Sequence, residues 1–509
     1  MASKEARFYN DIVCIGGGLS AIALGAHAKI TYGITDIHFY ERHASMGGTW
    51  WINTYPGAAC DVPSALYSFS FSQKPNWTCL MPSNTEIIAY ADEVAAKYDI
   101  PARATLQTEV VKAEWLEDRS RWRVYLRDLV TGEEYTHECK ILFSATGQLG
   151  VPNYPELPGQ ETFQGKIFHS ARWDHAVELD GKRVAVVGNG CTATQIVPSI
   201  MPRVASMHQF IRSKHWIQKA PTFPYNAVFY WMFKHVPLTL WLHRFTVFLV
   251  AEWDVRLQMM DPWSVQQRKW KARAVEAYMR KTAPEKYHEQ LIPDFEIGCK
   301  RRILDTGYLA SLNDPKAHLI SDPILSLTPE GIRTANGDVP VDVIVLATGF
   351  QTNRFLQPVQ VVGRAGETLE EHWAKAGGPG AYNTTAIRGF PNFFFLLGPN
   401  SATGHTSALM ASENVIGYAL NVASPVLRRE ATTVEVKEPA EKSYIKRVQE
   451  ALENTVFSTG CGSWYVRGGR NAMLYPWTQA HFLYRCSFVK WDDWDVNVSV
   501  PNSASERCG

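Results

Sequence analysis

Two short glycine clusters carry the first chemistry in this chain. Gly16-Gly17-Gly18-Leu19-Ser20-Ala21 fits the spacing G-x-G-x-x-G/A. Gly16 permits a tight turn, Gly18 lets a pyrophosphate approach the backbone, and Ala21 is small enough for a helix to pack closely on a strand. The helix that opens there offers free N–H groups and a partial positive charge to phosphates. Glu41, 25 residues past Gly16, can accept hydrogen bonds from a ribose diol. A glycine-rich turn beside a surface glutamate is the plainer alternative; the apolar run at 12–15 just before the cluster favours a dinucleotide. The second cluster, Gly188-Asn189-Gly190-Cys191-Thr192-Ala193, repeats the spacing, but Arg212 stands where the acid would be, 24 residues past Gly188. A guanidinium suits a 2′-phosphate, which an acid would repel. Ser213 and Lys214 add donors. A merely solvated Arg212 is the alternative; the pattern favours NADPH over NADH. Two such sites in one chain imply electron transfer between two cofactors, with FAD held at the first and NADPH supplying hydride at the second.

The elements around these clusters read as strand, glycine turn, helix. Residues 12–15 form a short apolar strand, 19–31 carry helical apolar spacing, and 37–40 form a second strand closed by Glu41. Ser83-Asn84-Thr85-Glu86 reads as a capping box opening a helix to about Tyr98. From about 107 to 136 the pattern alternates between turn signals, as in a small antiparallel sheet. Residues 141–143 then run into Ala145-Thr146-Gly147, and a later apolar run at 343–346 ends in a second Ala347-Thr348-Gly349. The expected fold is α/β, with two Rossmann-like dinucleotide-binding domains and a helical insertion. The expected division gives 1–150 and 340–509 to FAD, 151–216 and 296–339 to NADPH, and 217–295 to the insertion.

Composition narrows the class. At 509 residues the chain calls for two or three domains, and its net charge of +1 argues against a general nucleic-acid binder. Large aromatic cores account for the 17 Trp, 21 Tyr and 23 Phe, although apolar channels around a flat cofactor would also use them. None of the nine cysteines forms a C-x-x-C pair, and their number is odd. That argues against metal clusters or a disulfide framework and for a reducing, cytoplasmic setting. Residues 1–10 do not read as a signal peptide. The apolar region 226–250 is broken by Lys234, His235, Pro237, His243 and Arg244, which leaves no stable membrane span. It reads as buried or channel-lining helix, with monotopic membrane contact as the lesser alternative. The polar end, 501–509, is expected to fray.

Between the glycine clusters stand Phe163, Gly165, His169, Trp173 and Asp174. Their spacing matches in full the fingerprint F-x-G-x-x-x-H-x-x-x-W-(P/D) of the Baeyer–Villiger monooxygenases, and the chain resembles that family over nearly its whole length. Gly47-Gly48-Thr49-Trp50 with Asn53, Tyr55-Pro56-Gly57 and Cys60-Asp61 looks like the family's flavin-side loop, with Thr54 where many members have Arg. Cys299-Lys300-Arg301 is similar to its catalytic segment, and 389–400 to its C-terminal flavin-contacting strand. Cys461, Ser463-Trp464-Tyr465 and Gly469-Arg470-Asn471 look like the tail of the 4-hydroxyacetophenone monooxygenase-like subgroup, except that Pro476-Trp477 replaces the usual Pro-Gly.

The resemblance implies a reaction and roles. NADPH reduces the flavin, O2 adds to form a C4a-peroxyflavin, and a ketone becomes an ester or lactone. Arg301 matches the catalytic arginine and Asp61 the carboxylate that positions it. Lys300 and Arg212 match contacts to the NADPH 2′-phosphate. Thr49 and Trp50 belong to the flavin side, and no metal is implied. The plain reading of each charged residue is a surface ion pair. The aromatic stretch 225–253 suggests hydrophobic ketones. A flavin N- or S-monooxygenase shares both glycine clusters, but Trp173-Asp174 and Cys299-Lys300-Arg301 speak against it. A pyridine-nucleotide–disulfide reductase would need a redox cysteine pair beside the flavin. A redox sensor that merely binds nucleotide has no use for Arg301 and Asp61. Nothing in the sequence sets the oligomeric state.

Overall fold

The computed structural model describes residues 6–221, 223–352 and 354–498; the polar end at 501–509 lies outside them. The apolar run at 12–15 is the buried half of a longer strand, Phe8–Ile15. It pairs in parallel with Ile37–Tyr40 on one side and Glu134–Ser144 on the other. Helix Leu19–Tyr32 opens at Gly18 and closes at Gly33, whose φ of 65° suits the left-handed cap.

The antiparallel segment is not a separate sheet. Strands Thr108–Leu116 and Arg121–Asp128 form a meander whose third strand is Glu134–Ser144 itself. The end of that long strand then pairs in parallel with Phe393–Phe395. Alternation fades after Thr136 because residues 136–139 are all buried, as a strand covered on both faces requires. The helix expected from the capping box spans Asn84–Lys97. Only half of the box forms: the Ser83 hydroxyl accepts from Glu86 N, while the Glu86 carboxylate turns to the N–H and hydroxyl of Thr78.

A second, wholly parallel sheet holds Ala317–Ile320, Ser206–Phe210, Arg183–Val187, Val343–Leu346 and Lys166–His169, in that order. Val343–Leu346 lies between Arg183–Val187 and Lys166–His169. A boundary at 340 would therefore cut this sheet, and the crossing back to the first sheet comes after Leu346. The turn-rich hairpin Gly331–Thr334/Gly337–Pro340 at 331–340 is local antiparallel structure that precedes the last strand.

Strands Ile217–Lys219 and Ile303–Asp305 pair in parallel at the base of the insertion. Its three longer helices are Ala227–His235, Thr239–Trp253 and Pro262–Thr282. The first two contain no buried residue, which corrects the expectation of a buried region. Hydrophobicity alone could not tell an inward stripe from an outward one. A second correction concerns the cysteines: Cys299 and Cys461 are joined by a disulfide, while Cys14, Cys60, Cys79, Cys139, Cys191 and Cys486 are free. Two cysteines 162 residues apart in sequence offer no spacing signal.

Candidate active site

The two glycine turns are built alike. Gly16 has φ 105°, and a Cβ there would lie 2.6 Å from Ala145 O. Gly188 has φ 123°, and its Cβ would lie 2.4 Å from Ala347 O. Each turn thus presses on the backbone carbonyl of the alanine in an Ala-Thr-Gly segment at the end of the neighbouring strand, so glycine is required in the turn. Past the turns the space opens. A Cβ on Gly18 would meet only Gly48 Cα at 3.6 Å, and one on Gly190 would meet nothing within 4 Å. Helices Leu19–Tyr32 and Cys191–Ile200 both start without a side-chain cap, so their first N–H groups face that space. Ala21 and Ala193 are fully buried against the strands behind them. Both starts therefore fit a pyrophosphate.

Glu41 closes strand Ile37–Tyr40 beside the first glycine turn. Its carboxylate accepts from Gly17 N at 2.7 Å and from His43 N at 2.9 Å. The loop at 47–52 folds over the first turn: Gly47 N donates to Gly17 O, and Gly48 has φ 55° at the start of helix Thr49–Ile52. Trp50 Nε1 donates to Tyr67 Oη at 2.8 Å.

At the second site Arg212 and Lys300 lie within range of each other's charge, with the Asp294 carboxylate also acting on Lys300. Burial, then the nearby charge of Arg212, lowers the Lys300 pKa. Burial and then Lys300 push His215 down to about 4, so it stays neutral. Ser213 is tied to the glycine turn, since Asn189 Nδ2 donates to its carbonyl at 2.6 Å. Two cations in mutual repulsion suit an anion.

Asp61 and Arg301 meet from 240 positions apart. Nη2 of Arg301 donates to Oδ1 and Oδ2 of Asp61, each at 2.6 Å, and Nε donates to Oδ2 at 3.1 Å. The side chains are 37% and 19% exposed. Asp61 raises the Arg301 pKa well above its ordinary value, against the opposing effect of burial. Burial pushes Asp61 up, but the charge and hydrogen bonds of Arg301, then the charge of Arg302, outweigh it and hold the carboxyl low. The loop carrying Asp61 docks on the second glycine helix: Tyr55 Oη donates to Gln195 Oε1 at 2.9 Å, and Gln195 Nε2 donates to Ala59 O at 3.0 Å. A cavity of about 260 Å³ lies in this joint, lined by Asp61, Cys191, Gln195, Phe223 and Leu304 among others.

The fingerprint residues lie just before the edge strand Lys166–His169, at its end and just past the turn that follows it. A Cβ on Gly165 would fall 2.3 Å from Asp342 O and 2.4 Å from the Phe163 ring, so the two residues interlock. His169 is buried, accepts from Ala171 N through Nδ1 at 3.0 Å, and meets Gly349 O through Nε2 at 3.1 Å. A carbonyl can only accept, so Nε2 carries the proton. Burial lowers its pKa to about 4. Trp173 packs edge-on to Phe168 at 5.1 Å. Asp174 accepts from Ala176 N, and His175 meets the Thr54 hydroxyl at 2.8 Å. The motif thus touches the second crossing between the sheets and the flavin-side loop, not Arg301.

Three groups near Arg301 were not singled out for a role. Tyr465, from the tail, stands within range of its charge. His405 lies across a small cavity that both it and Arg301 line. Glu252 holds His405 at 2.9 Å and accepts from the N–H groups of Gln479 and Ala480. The C-terminal resemblance pointed at Tyr465; no sequence signal marked the other two.

Two glycine-cradled helix starts in one chain, the second beside an arginine–carboxylate pair, fit an oxidoreductase with two dinucleotide sites. Residues 12–259 match the flavin-binding monooxygenase-like family. A Baeyer–Villiger monooxygenase from Pseudomonas aeruginosa is 37% identical over 470 residues, covering 91% of this chain and 87% of the relative. Another, from Streptomyces coelicolor, is 34% identical over 501 residues, covering 96% and 93%. The closed crystal structure of cyclohexanone monooxygenase superposes with a TM-score of 0.85 at 25% identity, over 97% of this chain and 100% of that one. An oxidized steroid monooxygenase bound to NADP gives 0.84 at 26% identity, over 96% and 100%. The chain belongs to the Baeyer–Villiger monooxygenases, within the flavin-binding monooxygenase-like family.

Proposed function

We propose that this enzyme uses FAD, NADPH and O2 to convert hydrophobic ketones to esters or lactones, in the cytoplasm. The observation that carries the reading is the Arg301–Asp61 pair, set where the flavin-side loop meets the second glycine helix. Bound together, FAD and NADPH supply the reducing equivalents and the activation of O2. Arg301 offers a positive charge that no working pH removes, so it stabilises negative charge without giving up a proton. Asp61 aims that charge and limits its rotation. Gly16, Gly18 and Ala21 hold the FAD pyrophosphate, Glu41 its ribose, and Thr49 and Trp50 close over it. Gly188, Gly190 and Ala193 hold the NADPH pyrophosphate, while Arg212, Ser213 and Lys300 take the 2′-phosphate. Phe163, Gly165, His169, Trp173 and Asp174 fix the two sheets relative to each other.

The domain division that agrees with the sheets assigns 6–150 and 350–498 to FAD, 151–216 and 296–349 to NADPH, and 217–295 to the insertion. Ketones of increasing chain length, with products read by gas chromatography, test the substrate class. Ester formation that rises with apolar length supports it. A preference for carboxylate-bearing ketones would refute the hydrophobic reading, and the absence of any ester would refute the reaction.

A further inference from the structure

The first two helices of the insertion turn an apolar stripe outward. Along Thr239–Trp253, Trp241, Phe245, Leu249 and Trp253 recur every fourth residue, and all are exposed. Leu238, at the tip between the helices, is 77% exposed, and Val250 beside the stripe is 68% exposed. The opposite face is anchored. Arg244 donates to the carbonyls of Ala65 and Ser68, Tyr225 Oη meets His243 Nε2 at 2.8 Å, and Val247 and Phe248 pack on the main core. The stripe is therefore a fixed surface, and its breadth marks an interaction site.

Its charges indicate the partner. Residues 226–251 contain no Asp or Glu. Lys234 and His235 are exposed at the end of the first helix. Lys234 lies over the Tyr230 ring at 5.5 Å, with Nζ 3.2 Å from its hydroxyl. Arg256 lies over Trp253 and Trp263 at 5.2 and 4.6 Å. Cations laid along aromatic rings at the rim of an apolar stripe suit the boundary between lipid tails and headgroups. A second copy suits it less, because a two-fold contact would bring these cations together, and the nearby Asp261 carboxylate is already within range of Arg256. Among the described residues no helix is long and apolar enough to cross a membrane, so the element lies along the surface.

We propose that the hairpin 227–253 docks the enzyme flat on an anionic phospholipid bilayer. The last turn of its second helix carries Glu252, which holds His405 beside the Arg301 cavity, so docking brings the active site close to the lipid. The test is cosedimentation of the flavin-loaded full chain with vesicles of phosphatidylcholine alone or mixed with phosphatidylglycerol. Uptake by the mixed vesicles, weakened by salt and accompanied by a blue shift of tryptophan fluorescence, is expected. Trp241→Glu with Leu249→Glu should lower partitioning by about tenfold or more. Lys234→Glu should weaken binding to the anionic vesicles and leave the weak uptake by neutral ones unchanged. These positions are exposed, and flavin content with far-UV circular dichroism verifies the fold of each variant. A wild type left in the supernatant overturns the proposal, as does a double variant that still binds. A dimer by light scattering, split by the double variant and indifferent to vesicles, would make the stripe a contact between copies instead.

Discussion

Arg301 gains its meaning from where its partner comes from. An arginine beside an exposed carboxylate is commonly a surface ion pair of little worth; this one bridges the flavin-side loop and the segment returning from the insertion. Arg301→Ala is expected to abolish ester formation, a loss of roughly 10²–10³ in rate or more. The protein should stay yellow, since the FAD contacts lie at Gly16, Gly18 and Glu41. Asp61→Ala should act in the same direction but less severely, because the charge remains and only its aim is lost. Normal ester yield from Arg301→Ala would place the catalytic group elsewhere. The pair also sets an acid limit. Asp61 is held below its ordinary value of about 3.9, so its contribution to stability is complete above about pH 5 and disappears as falling pH protonates the folded carboxyl. The melting-temperature gap between wild type and Asp61→Asn should therefore be constant near neutrality and shrink below about pH 4; an unchanged gap in acid would remove this pair from the response. At the other cofactor, Arg212→Ala should raise the KM for NADPH by about tenfold or more, as for a lost charge-assisted hydrogen bond, with a smaller effect on NADH. Equal use of both nucleotides by the wild type would void that reading of Arg212.

Elements decide which of these residues meet. His169 on the edge strand ties to Gly349 at the crossing between sheets, and Thr348 Oγ1 donates to Asn153 O at 2.6 Å across the two connecting segments. His169→Ala should leave both glycine turns intact yet loosen this joint, lowering the ester formed per NADPH consumed. Parallel assays of NADPH oxidation, ester and H2O2 measure that ratio, and an unchanged ratio would reduce the motif to local packing. Strand–turn–helix units were legible because glycine spacing and apolar runs are local signals: Leu19–Tyr32 and Cys191–Ile200 begin where Gly18 and Gly190 said they would. Pairing across the chain was not. Nothing local in Glu134–Ser144 reveals that one strand serves both a meander and a parallel core, or that Val343–Leu346 belongs to the second sheet. The direction of the stripe on Thr239–Trp253 was equally hidden, since periodicity reports a face and not what it faces. His405 and Glu252 escaped for a related reason: each is an ordinary polar residue until the fold sets them 2.9 Å apart beside Arg301.

On the scale of the whole molecule, the insertion and the C-terminal tail converge on the same few residues. The disulfide from Cys299 to Cys461 pins the tail two positions before Arg301, and the same tail brings Tyr465 into the field of that arginine. A cross-link closing a long loop stabilises chiefly by restricting the unfolded chain, typically by about 2–4 kcal/mol. Here it also holds two walls of one site together. Peptide mapping without reductant should recover the peptide containing Cys299 linked to the one containing Cys461. Adding a thiol reductant should lower the melting temperature of the wild type and raise its KM for ketones as the tail loosens. Cys461→Ser should reproduce both effects and be insensitive to reductant, which separates this bridge from general thiol effects on the six free cysteines among the described residues. Flavin binding should survive in the variant, because the FAD contacts lie at Gly16, Gly18 and Glu41. A variant that melts and turns over like the wild type, together with a wild type indifferent to reductant, would show that ring packing of Tyr465 on Phe457 holds the tail without the bridge.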